Sequence, residues 1–437
     1  MGAPRGGAVN VSVDSSGALL RGDAARGALL RGDAARATVN TRVESARGPV
    51  DNAVNTHAHA APGLPDGVRR PSVLVILDGA SEPLGDGPTS LERAHTPALD
   101  ALASEGELTR VRTVAPWLEA GSESAIPALL GWVPPAPVDR GLIEAAAREL
   151  PLAPGTRAWR VDVRDAATGA RADAATVRAA LAAALPAYEV HAIGGHRLLV
   201  TGDGPLPSLL AALRFRFADL APGPQPGGIS SGPPALLFST GLVLDPRPGS
   251  LALHLWPEGI VPPPVLDDST VLVAARGAAA GIARLMRARV VIPPGTTGRP
   301  GSDFSAKAQA ADDALSAGAT QVVVHVGGAD EAAHELDAAA KVAVLEQADR
   351  ELIAPLLAAI RAEGGTLSVC PDHGCDPRTG KHDEAPVPRV DWEPHMSGTN
   401  ERSRLTERGT NERGRLTERA VAHLPVTELA TRELAAA

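Results

Sequence analysis

Three short apolar runs constrain the fold of this chain most strongly. They read PSVLVILDG at residues 71–79, QVVVHVGG at 321–328 and TLSVC at 366–370. Runs so rich in β-branched and aliphatic residues predict strands that are buried on both faces, as in a parallel sheet. Helical patterns separate them, for example TPALDALASEG at 96–106. Strands that alternate with helices predict an α/β fold with a mostly parallel sheet flanked by helices.

The helical patterns carry their own boundary signals. Thr96 precedes Pro97, and these residue types favour the N-cap and first position of a helix. Residues 331–360 predict one or two further helices. Apolar residues recur at helical spacing in 420–437, which predicts a C-terminal helix packed on the core.

A shift in composition divides the chain. Residues 136–268 are rich in Pro and Gly, with short strand candidates such as HRLLVTG and a helix at 175–185. We expect them to form a smaller α/β domain inserted into the main one. The main domain would then comprise residues 71–135 and 269–437.

Tandem copies occur near both ends of the chain. GALLRGDAAR at 17–26 is repeated unchanged at 27–36, and a unit of this length is too short for a solenoid. Residues 1–70 are therefore predicted to be a low-complexity, disordered extension. A second duplication, GTNERSRLTER followed by GTNERGRLTER, occupies residues 398–419.

Bulk properties exclude several classes of protein. The 42 Lys and Arg against 51 Asp and Glu give a net charge of −9, which argues against a nucleic-acid binder that depends on excess positive charge. No stretch approaches the ~18 apolar residues of a membrane helix, and the N-terminal residues lack the apolar h-region expected of a signal peptide. Two cysteines do not make a disulfide framework. We expect a cytoplasmic protein without nucleic-acid or membrane partners.

The segment SVCPDHGCDPRTGKHDEAP at 368–386 has two interpretations. A Cys/His zinc finger needs paired ligands such as C-x₂-C. The two cysteines, Cys370 and Cys375, are five residues apart, which argues against a finger. Alternatively, Asp372 and His373 end a strand in a polar turn. The choice depends on whether other ligands converge on the same point.

Candidate metal ligands follow each predicted strand. Asp78 comes after LVIL, Asp330 after VVVHVGG, and Asp372 with His373 after TLSVC. Ligands of open parallel sheets gather at the C-terminal ends of the strands. Asp330 and His334 also form D-x-x-x-H, a spacing that places both on one face of a helix.

With His382, these positions offer three histidines and three aspartates. Mixed imidazole and carboxylate ligands suit Mn²⁺, Zn²⁺ or Co²⁺ better than Ca²⁺. Two ions ~3.5–4 Å apart would use the whole set and could clamp the oxygens of a phosphoryl transfer. Ser122 in GSESAIPALLG, at the start of a predicted helix, is the candidate nucleophile. A serine there is otherwise a structural N-cap.

These motifs resemble those of the cofactor-independent phosphoglycerate mutases of the archaeal type, a branch of the alkaline phosphatase superfamily. The similarity covers residues 71–135 and 270–390. It rests on LVILDG with TSLERAHTPALDALASEG, GSESAIPALLGW, VVIPPGTTGRPGSDFSAKA, VHVGGADEAAHELD and PDHGCDPRTGKHDEAPVP. The resemblance implies an alkaline phosphatase-like fold and the glycolytic interconversion of 3-phosphoglycerate and 2-phosphoglycerate through a phosphoserine.

The resemblance also implies roles for particular residues. It implies two divalent ions, with Mn²⁺ preferred and Zn²⁺, Co²⁺ or Mg²⁺ as alternatives. One ion would be held by Asp78, Ser122, Asp372 and His373, and the other by Asp330, His334 and His382. Lys307 would neutralise the phosphate or the serine oxygen. Arg140 and Arg160 would bind the small phosphorylated substrate.

The sequence departs from the family pattern mostly in the inserted domain at 136–268, which the resemblance implies is the substrate-handling domain of a metal-binding, phosphatase-like main domain. Ile126 stands where a His is usual, and Asp162 replaces an Asn after Arg160. An Arg-Ala-Gly-Arg element is reduced to ATGARAD, and LALHLWPEG at 251–259 lacks the usual Asn and Arg. These changes keep open a metal-dependent phosphatase, phosphodiesterase or mutase on another phosphoryl or phosphonyl metabolite. A non-catalytic metal-binding protein is a third possibility.

Overall fold

A computed structural model describes residues 70–165, 168–204, 206, 251–256, 258–394 and 414–430. The predicted extension up to residue 69 and most of the duplicated segment at 398–419 lie outside these ranges. Within the described part, no helix has both the length and the apolar character needed to span a bilayer.

The helices differ widely in length. They are α1 Ser90–Arg93, α2 Pro97–Glu105, α3 Ser122–Leu129, α4 Arg140–Ala147, α5 Ala175–Ala184, α6 Ala278–Leu285, α7 Phe304–Ser316, α8 Gly328–His334, α9 Ala338–Ala348, α10 Ala354–Glu363 and α11 Glu418–Val421. A π-helical segment, Asp349–Ile353, joins α9 to α10.

The strands are β1 Ser72–Leu77, β2 Glu107–Arg112, β3 Arg157–Asp165, β4 Glu189–Gly194, β5 Arg197–Gly202, β6 Leu251–Leu255, β7 Thr270–Val273, β8 Arg289–Val291, β9 Gln321–Val326, β10 Thr366–Pro371, β11 Gly374–Asp376, β12 Lys381–Asp383, β13 Val387–Trp392 and β14 Val426–Glu428. In the described residues, eight of them form one sheet in the order β14-β2-β13-β10-β1-β9-β7-β8. Among the described strands of this sheet, only the pairs of β13 with β10 and of β13 with β2 are antiparallel.

Both faces of the large sheet are buried. On β1, Val73, Val75 and Leu77 belong to one apolar cluster, while Leu74 and Ile76 belong to the cluster on the opposite face. Helices cover both sides, which is why these strands are apolar at nearly every position. The predicted α/β class with a mostly parallel sheet is confirmed.

A smaller antiparallel sheet has the strand order β4-β5-β3-β6. One of its faces packs on α5 through a cluster that includes Trp159, Val161 and Leu181. The other face carries polar residues of β3, among them Arg160 and Asp162. This sheet lies within the range 136–268, whose boundaries as an inserted domain stay a prediction.

At the start of α2, the helix cap comes from a different residue than the local sequence predicts. Thr96 occupies the predicted N-cap position, but its side chain makes no capping hydrogen bond. Instead, the carboxylate of Asp349 in the π-helical segment accepts hydrogen bonds from the backbone N–H groups of Ala98 and Leu99, at 3.1 and 2.8 Å. A distant residue therefore caps the helix.

The C-terminal part differs from the prediction. Only the four residues of α11 are helical at its start, and Val426–Glu428 forms strand β14, which pairs in parallel with β2. Pro425 explains why the helix cannot continue, since proline lacks the backbone N–H and disfavours helix before it. The prediction of a helix in 420–437 was therefore wrong for residues 422–430, the described part of that range beyond α11.

Candidate metal centre

The C-terminal ends of three neighbouring strands build the site. In the sheet, β1 lies between β9 and β10, and Leu77 is aligned with both Val326 and Pro371. Asp78 and Asp372 therefore follow adjacent strands directly. The short α8 after β9 brings its side chains to the same edge. The convergence predicted from the sequence is present.

The first group of ligands surrounds Asp78. His373 Nε2 lies 3.4 Å from Asp78 Oδ1 and 3.5 Å from Asp372 Oδ2. Ser122 Oγ is 3.3 Å from the same Asp78 Oδ1. The backbone N–H of Gly79 donates a 3.0 Å hydrogen bond to Asp372 Oδ1, which fixes that carboxylate. The structure thus brings together all four residues predicted to hold one ion.

The second group is built on α8 and the hairpin of β11 and β12. Asp330 and His334 lie one helical turn apart, and His334 Nε2 is 3.3 Å from Asp330 Oδ2. His382 on β12 places Nε2 3.3 Å from Asp330 Oδ1. The D-x-x-x-H pair and the distant His382 therefore converge as predicted.

The two histidines of this group face each other. His334 Nε2 and His382 Nε2 are 3.0 Å apart, and each Nδ1 lies 2.8 Å from a backbone carbonyl, that of Gly380 and Ala120 respectively. A carbonyl oxygen only accepts, so each Nδ1 carries the hydrogen. Two neutral rings would then direct lone pairs at one another. A proton or a metal cation must lie between these nitrogens.

The pKa shifts of Asp78 and His382 show that positive charge is favourable in this site. Burial together with the carboxylates of Asp372 and Asp330 raises the pKa of Asp78 well above its usual range. Burial alone would lower the pKa of His382, but the adjacent carboxylate of Asp330 outweighs it and raises the pKa to about 9. Bound divalent cations would satisfy both the crowded carboxylates and the histidine pair.

Several buried ligand atoms also lack hydrogen-bond partners within the described residues. They are His325 Nε2, Asp330 Oδ1, Asp372 Oδ2 and His373 Nε2. Burying such atoms without a partner has a free-energy cost, and coordination of a bound ion would remove it. The imidazole and carboxylate donors also suit borderline divalent metals. The residues present therefore fit a divalent metal centre.

The structure adds two candidate ligands that sequence analysis missed. His325 on β9 places Nε2 3.4 Å from Asp78 Oδ2, and burial lowers its pKa to about 4, so the ring is neutral and able to bind metal. Cys375 groups with Asp330, His334 and His382, with ligand atoms within 4.8 Å of one another. The sequence signal that could have identified His325 as a ligand is its position as a histidine within the apolar run of β9.

Ser122 is the first residue of α3, and Gly121 rather than Ser122 occupies the N-cap position. The next residue, Glu123, accepts a 2.8 Å hydrogen bond from Arg140 Nη1. Burial opposes ionisation of Glu123, yet Arg140 outweighs it and lowers the pKa of this carboxyl. Arg140, predicted to bind substrate, thus lies beside the candidate nucleophile. Its binding role stays a prediction.

The other two predicted site residues have protein partners. Lys307 is fully buried, and its ammonium donates a 2.5 Å hydrogen bond to the carbonyl of His325. Burial lowers its pKa to about 8. Arg160 is also buried and donates to Asp162, with Nε–Oδ1 at 2.9 Å, and to Glu144, with Nη1–Oε1 at 3.3 Å. The roles of Lys307 and Arg160 toward a substrate stay predictions.

Comparison with known proteins places this geometry in a family. Residues 70–418 match the Metalloenzyme superfamily. The chain is 30% identical over 362 residues to 2,3-bisphosphoglycerate-independent phosphoglycerate mutase 1 of Archaeoglobus fulgidus, covering 73% of this chain and 88% of that protein. It is 27% identical over 387 residues to the corresponding mutase of Methanopyrus kandleri, covering 75% and 88%.

A solved structure supports the fold. A protein from Pyrococcus horikoshii superposes with a TM-score of 0.58 at 22% identity, covering 74% of this chain and 87% of that one. At this identity the similarity concerns the fold.

The parallel sheet and the two adjoining ligand groups define a metalloenzyme, and the chain belongs to the Metalloenzyme superfamily. Within it, the chain belongs to the 2,3-bisphosphoglycerate-independent phosphoglycerate mutase family. The resemblance predicted from the sequence motifs is therefore confirmed. Because this is a family of enzymes, the non-catalytic alternative is set aside.

Proposed function

We propose that this chain interconverts 3-phosphoglycerate and 2-phosphoglycerate in a metal-dependent reaction that passes through a phosphoserine at Ser122. Its similarity to 2,3-bisphosphoglycerate-independent phosphoglycerate mutases supports the reaction and its independence from 2,3-bisphosphoglycerate. One observation carries the mechanism. Ser122 Oγ lies 3.3 Å from Asp78 Oδ1, which places a hydroxyl at the edge of the ligand groups.

The helix that follows supports a phosphoryl acceptor at this position. Ser122 begins the eight-residue α3. The first N–H groups of a helix have no intrahelical acceptor, and its positive end favours an anion. A phosphoryl group on Ser122 would lie at this positive end of α3.

The transfer balances in two half-reactions. The Ser122 oxygen bonds to phosphorus while the bond from phosphorus to the 3-oxygen of the substrate breaks, the serine proton leaves, and the departing 3-oxygen takes up a proton. The glycerate then reorients, its 2-hydroxyl loses a proton as the 2-oxygen bonds to phosphorus, the bond from phosphorus to the Ser122 oxygen breaks, and the serine oxygen takes up a proton. Bound divalent ions would lower the pKa of the serine hydroxyl and stabilise charge on the transferring group. Arg140, held 2.8 Å from Glu123 Oε2 beside the serine, would orient the substrate.

Phosphorus NMR of the full chain with Mn²⁺ and 3-phosphoglycerate tests the proposal, with no 2,3-bisphosphoglycerate added. We expect a 2-phosphoglycerate resonance to grow while the free phosphate resonance stays small. The same sample treated with excess chelator serves as the control and should show no conversion. Conversion that persists in chelator would contradict a metal-dependent reaction.

Hydrolysis is the second candidate. Arg160 already pairs with the buried Asp162 and Glu144, so fewer arginine donors remain to hold the reorienting glycerate. A phosphoserine that loses its glycerate partner is open to water, unless the site closes over it. In the NMR experiment, free phosphate without 2-phosphoglycerate would establish hydrolysis and overturn the mutase proposal.

A further inference from the structure

Cys375 is fully buried beside the second group of ligands, which comprises Asp330, His334 and His382. It is the middle residue of β11 and lies directly opposite His382 on β12. Residues paired in this way across two antiparallel strands project from the same face, with Cβ atoms roughly 4.5–5.5 Å apart. His382 reaches Asp330 from that face, so the hairpin directs the side chain of Cys375 toward the same ligands.

Backbone hydrogen bonds fix Cys375 in this position. Its N–H donates a 2.8 Å hydrogen bond to the carbonyl of Ser81. Its own carbonyl accepts a 2.7 Å hydrogen bond from the ammonium of Lys341, a fully buried residue of α9. The same ammonium also donates to the carbonyl of Ser81 at 3.2 Å, which ties β11 to the segment after β1. A side chain held in this way needs little reorganisation before it binds an ion.

The spacing of the other three ligands fits a tetrahedral ion. Zn²⁺ binds imidazole nitrogen and carboxylate oxygen at roughly 2.0–2.2 Å, so the corners of its tetrahedron are about 3.3–3.6 Å apart. Nε2 of His334 and Nε2 of His382 are 3.0 Å apart, and each lies 3.3 Å from an oxygen of Asp330. These ligands therefore occupy three corners. Sγ of Cys375 is available for the fourth, because all four ligand atoms lie within 4.8 Å of one another.

The other cysteine of the chain lies in a different environment. Cys370 on β10 belongs to the apolar cluster that also contains Ile76 and Val323. Its thiol donates a 3.0 Å hydrogen bond to the carbonyl of Pro371. In the described part of the chain, none of the apolar clusters includes Cys375. Cys370 therefore packs as a small apolar residue, while Cys375 lies among metal-binding donors.

We propose that Cys375 is a fourth ligand of the second group and that its sulfur makes this position prefer Zn²⁺ or Co²⁺ over Mn²⁺ and Mg²⁺. The thiol gives up its proton to solvent as the bond between Sγ and the metal forms. Thiolate ligands favour Zn²⁺, whereas carboxylate and water favour Mg²⁺ and Mn²⁺. The resemblance to the mutase family implies a preference for Mn²⁺ and assigns no role to this cysteine. The inference rests on the metal centre of the proposed function, but it can be measured without substrate.

Absorption spectroscopy with Co²⁺ tests the assignment on the full chain. The protein is depleted of metal with a chelator, kept under anaerobic conditions so that its thiols stay reduced, and titrated with Co²⁺. We expect the wild type to develop thiolate-to-cobalt charge-transfer absorption in the near ultraviolet. Cys375→Ser should lack this absorption while keeping the visible bands of cobalt bound by imidazole and carboxylate. Cys370→Ser is the matched control and should keep the charge-transfer absorption, because Cys370 lies in an apolar cluster.

A competition between Zn²⁺ and Mn²⁺ for the same protein tests the selectivity, with a chromophoric chelator reporting free Zn²⁺. We expect Cys375→Ser to weaken Zn²⁺ binding by roughly tenfold or more, because a direct ligand is lost, and to change Mn²⁺ binding much less. Cys370→Ser should match the wild type for both metals. Equal weakening of both metals in Cys375→Ser would contradict the preference for Zn²⁺.

The outcomes separate this inference from the proposed function. Absence of the charge-transfer absorption in the wild type would overturn the role of Cys375, and this result does not depend on the folding of any variant. Persistence of the absorption in Cys375→Ser would also overturn it. Charge-transfer absorption in a chain that produces no 2-phosphoglycerate would uphold the ligand and remove the mutase reaction alone. Interconversion by a chain without this absorption would remove the ligand and leave the proposed function intact.

Discussion

Gly79 lies so close to Asp330 that a β-carbon added at Gly79 would be 2.6 Å from Asp330 Oδ1 and 2.8 Å from Asp330 Cα. The backbone at Gly79 also has φ of +62°, in the left-handed region that favours glycine. The Asp-Gly pair that follows β1 therefore combines two features. The aspartate is a candidate ligand, and the glycine gives space to a ligand on α8.

We expect Gly79→Ala to lower metal affinity although it removes no ligand atom. The added methyl group would push Asp330 away from His334 and His382. Metal content after dialysis, measured by plasma emission spectrometry, should fall well below that of the wild type. Gly364→Ala is the matched control, because Gly364 has a similar φ of +67° with nothing within 4 Å of its added β-carbon. Equal losses in both variants would indicate backbone strain alone.

We expect His382→Ala to remove one metal ion and its stabilising effect. His382 Nε2 lies 3.0 Å from His334 Nε2, and without it the second group keeps only Asp330 and His334 among the predicted ligands. Metal content should fall from about two ions per chain toward one. The increase in Tm on adding Mn²⁺ should shrink as well. His423→Ala, at an exposed position, should retain both properties, and unchanged metal content in His382→Ala would exclude this ligand.

We expect Ser122→Ala to lose turnover by at least roughly a thousandfold, because the hydroxyl that would take the phosphoryl group is absent. Metal content should stay near that of the wild type, since the carboxylate and histidine ligands are intact. Ser124→Ala, buried on the same helix, is the control and should remain active. Turnover near the wild-type rate in Ser122→Ala would remove this serine from the mechanism.

The parts of the site that could be predicted from the sequence are those with local signatures. Asp78 and Asp372 directly follow apolar strand runs, and the spacing of Asp330 and His334 reports one helix face. His325 was not predicted because its role depends on register. It is aligned with Ile76 on β1, and only that pairing brings its ring to Asp78.

Other features could not be predicted because they depend on contacts between residues far apart in the sequence. The cap of α2 comes from Asp349, about 250 positions away in the chain. Arg160 on β3 pairs with Glu144 on α4. The spacing of residues within one element does not predict such a contact between two elements. The strand at Val426–Glu428 forms because β2 offers an edge for pairing, and a helical pattern alone does not reveal that edge.

The buried Asp162 gives a pH dependence with a defined sign. Burial disfavours its carboxylate, but Arg160 and His196 outweigh this effect and hold the pKa of Asp162 well below its usual range. A depressed pKa in the folded state contributes stability above the unfolded-state pKa of about 4, and this contribution is lost as the pH falls through the folded value.

We therefore expect Asp162→Asn to reduce the free energy of unfolding at pH 7 by roughly 3–5 kcal/mol, because it leaves Arg160 buried with one carboxylate fewer. The difference from the wild type should narrow as the pH falls below about 4. Urea unfolding at a series of pH values measures it. Asp268→Asn, at an exposed position, should match the wild type throughout, and a pH-independent deficit in Asp162→Asn would contradict the ion pair.

The second unit of the C-terminal duplication docks on the core. Leu416 is buried in the main apolar cluster. Glu418 accepts a 2.7 Å hydrogen bond from Thr89 Oγ1 and a 2.9 Å bond from the N–H of Glu82. These contacts belong to RLTER at 415–419, and the same five residues occur at 404–408 in the first unit.

Deleting either unit leaves a chain with one RLTER, and the two products differ only by Ser or Gly before it. We expect both deletions, of 398–408 and of 409–419, to change the free energy of unfolding by no more than about 0.5 kcal/mol. Leu416→Ala in the chain that lacks 398–408 should instead cost about 2–5 kcal/mol, because it leaves a cavity in the core. Urea unfolding of the three variants checks this. A large loss of stability in either deletion would show that the docked contacts require both copies.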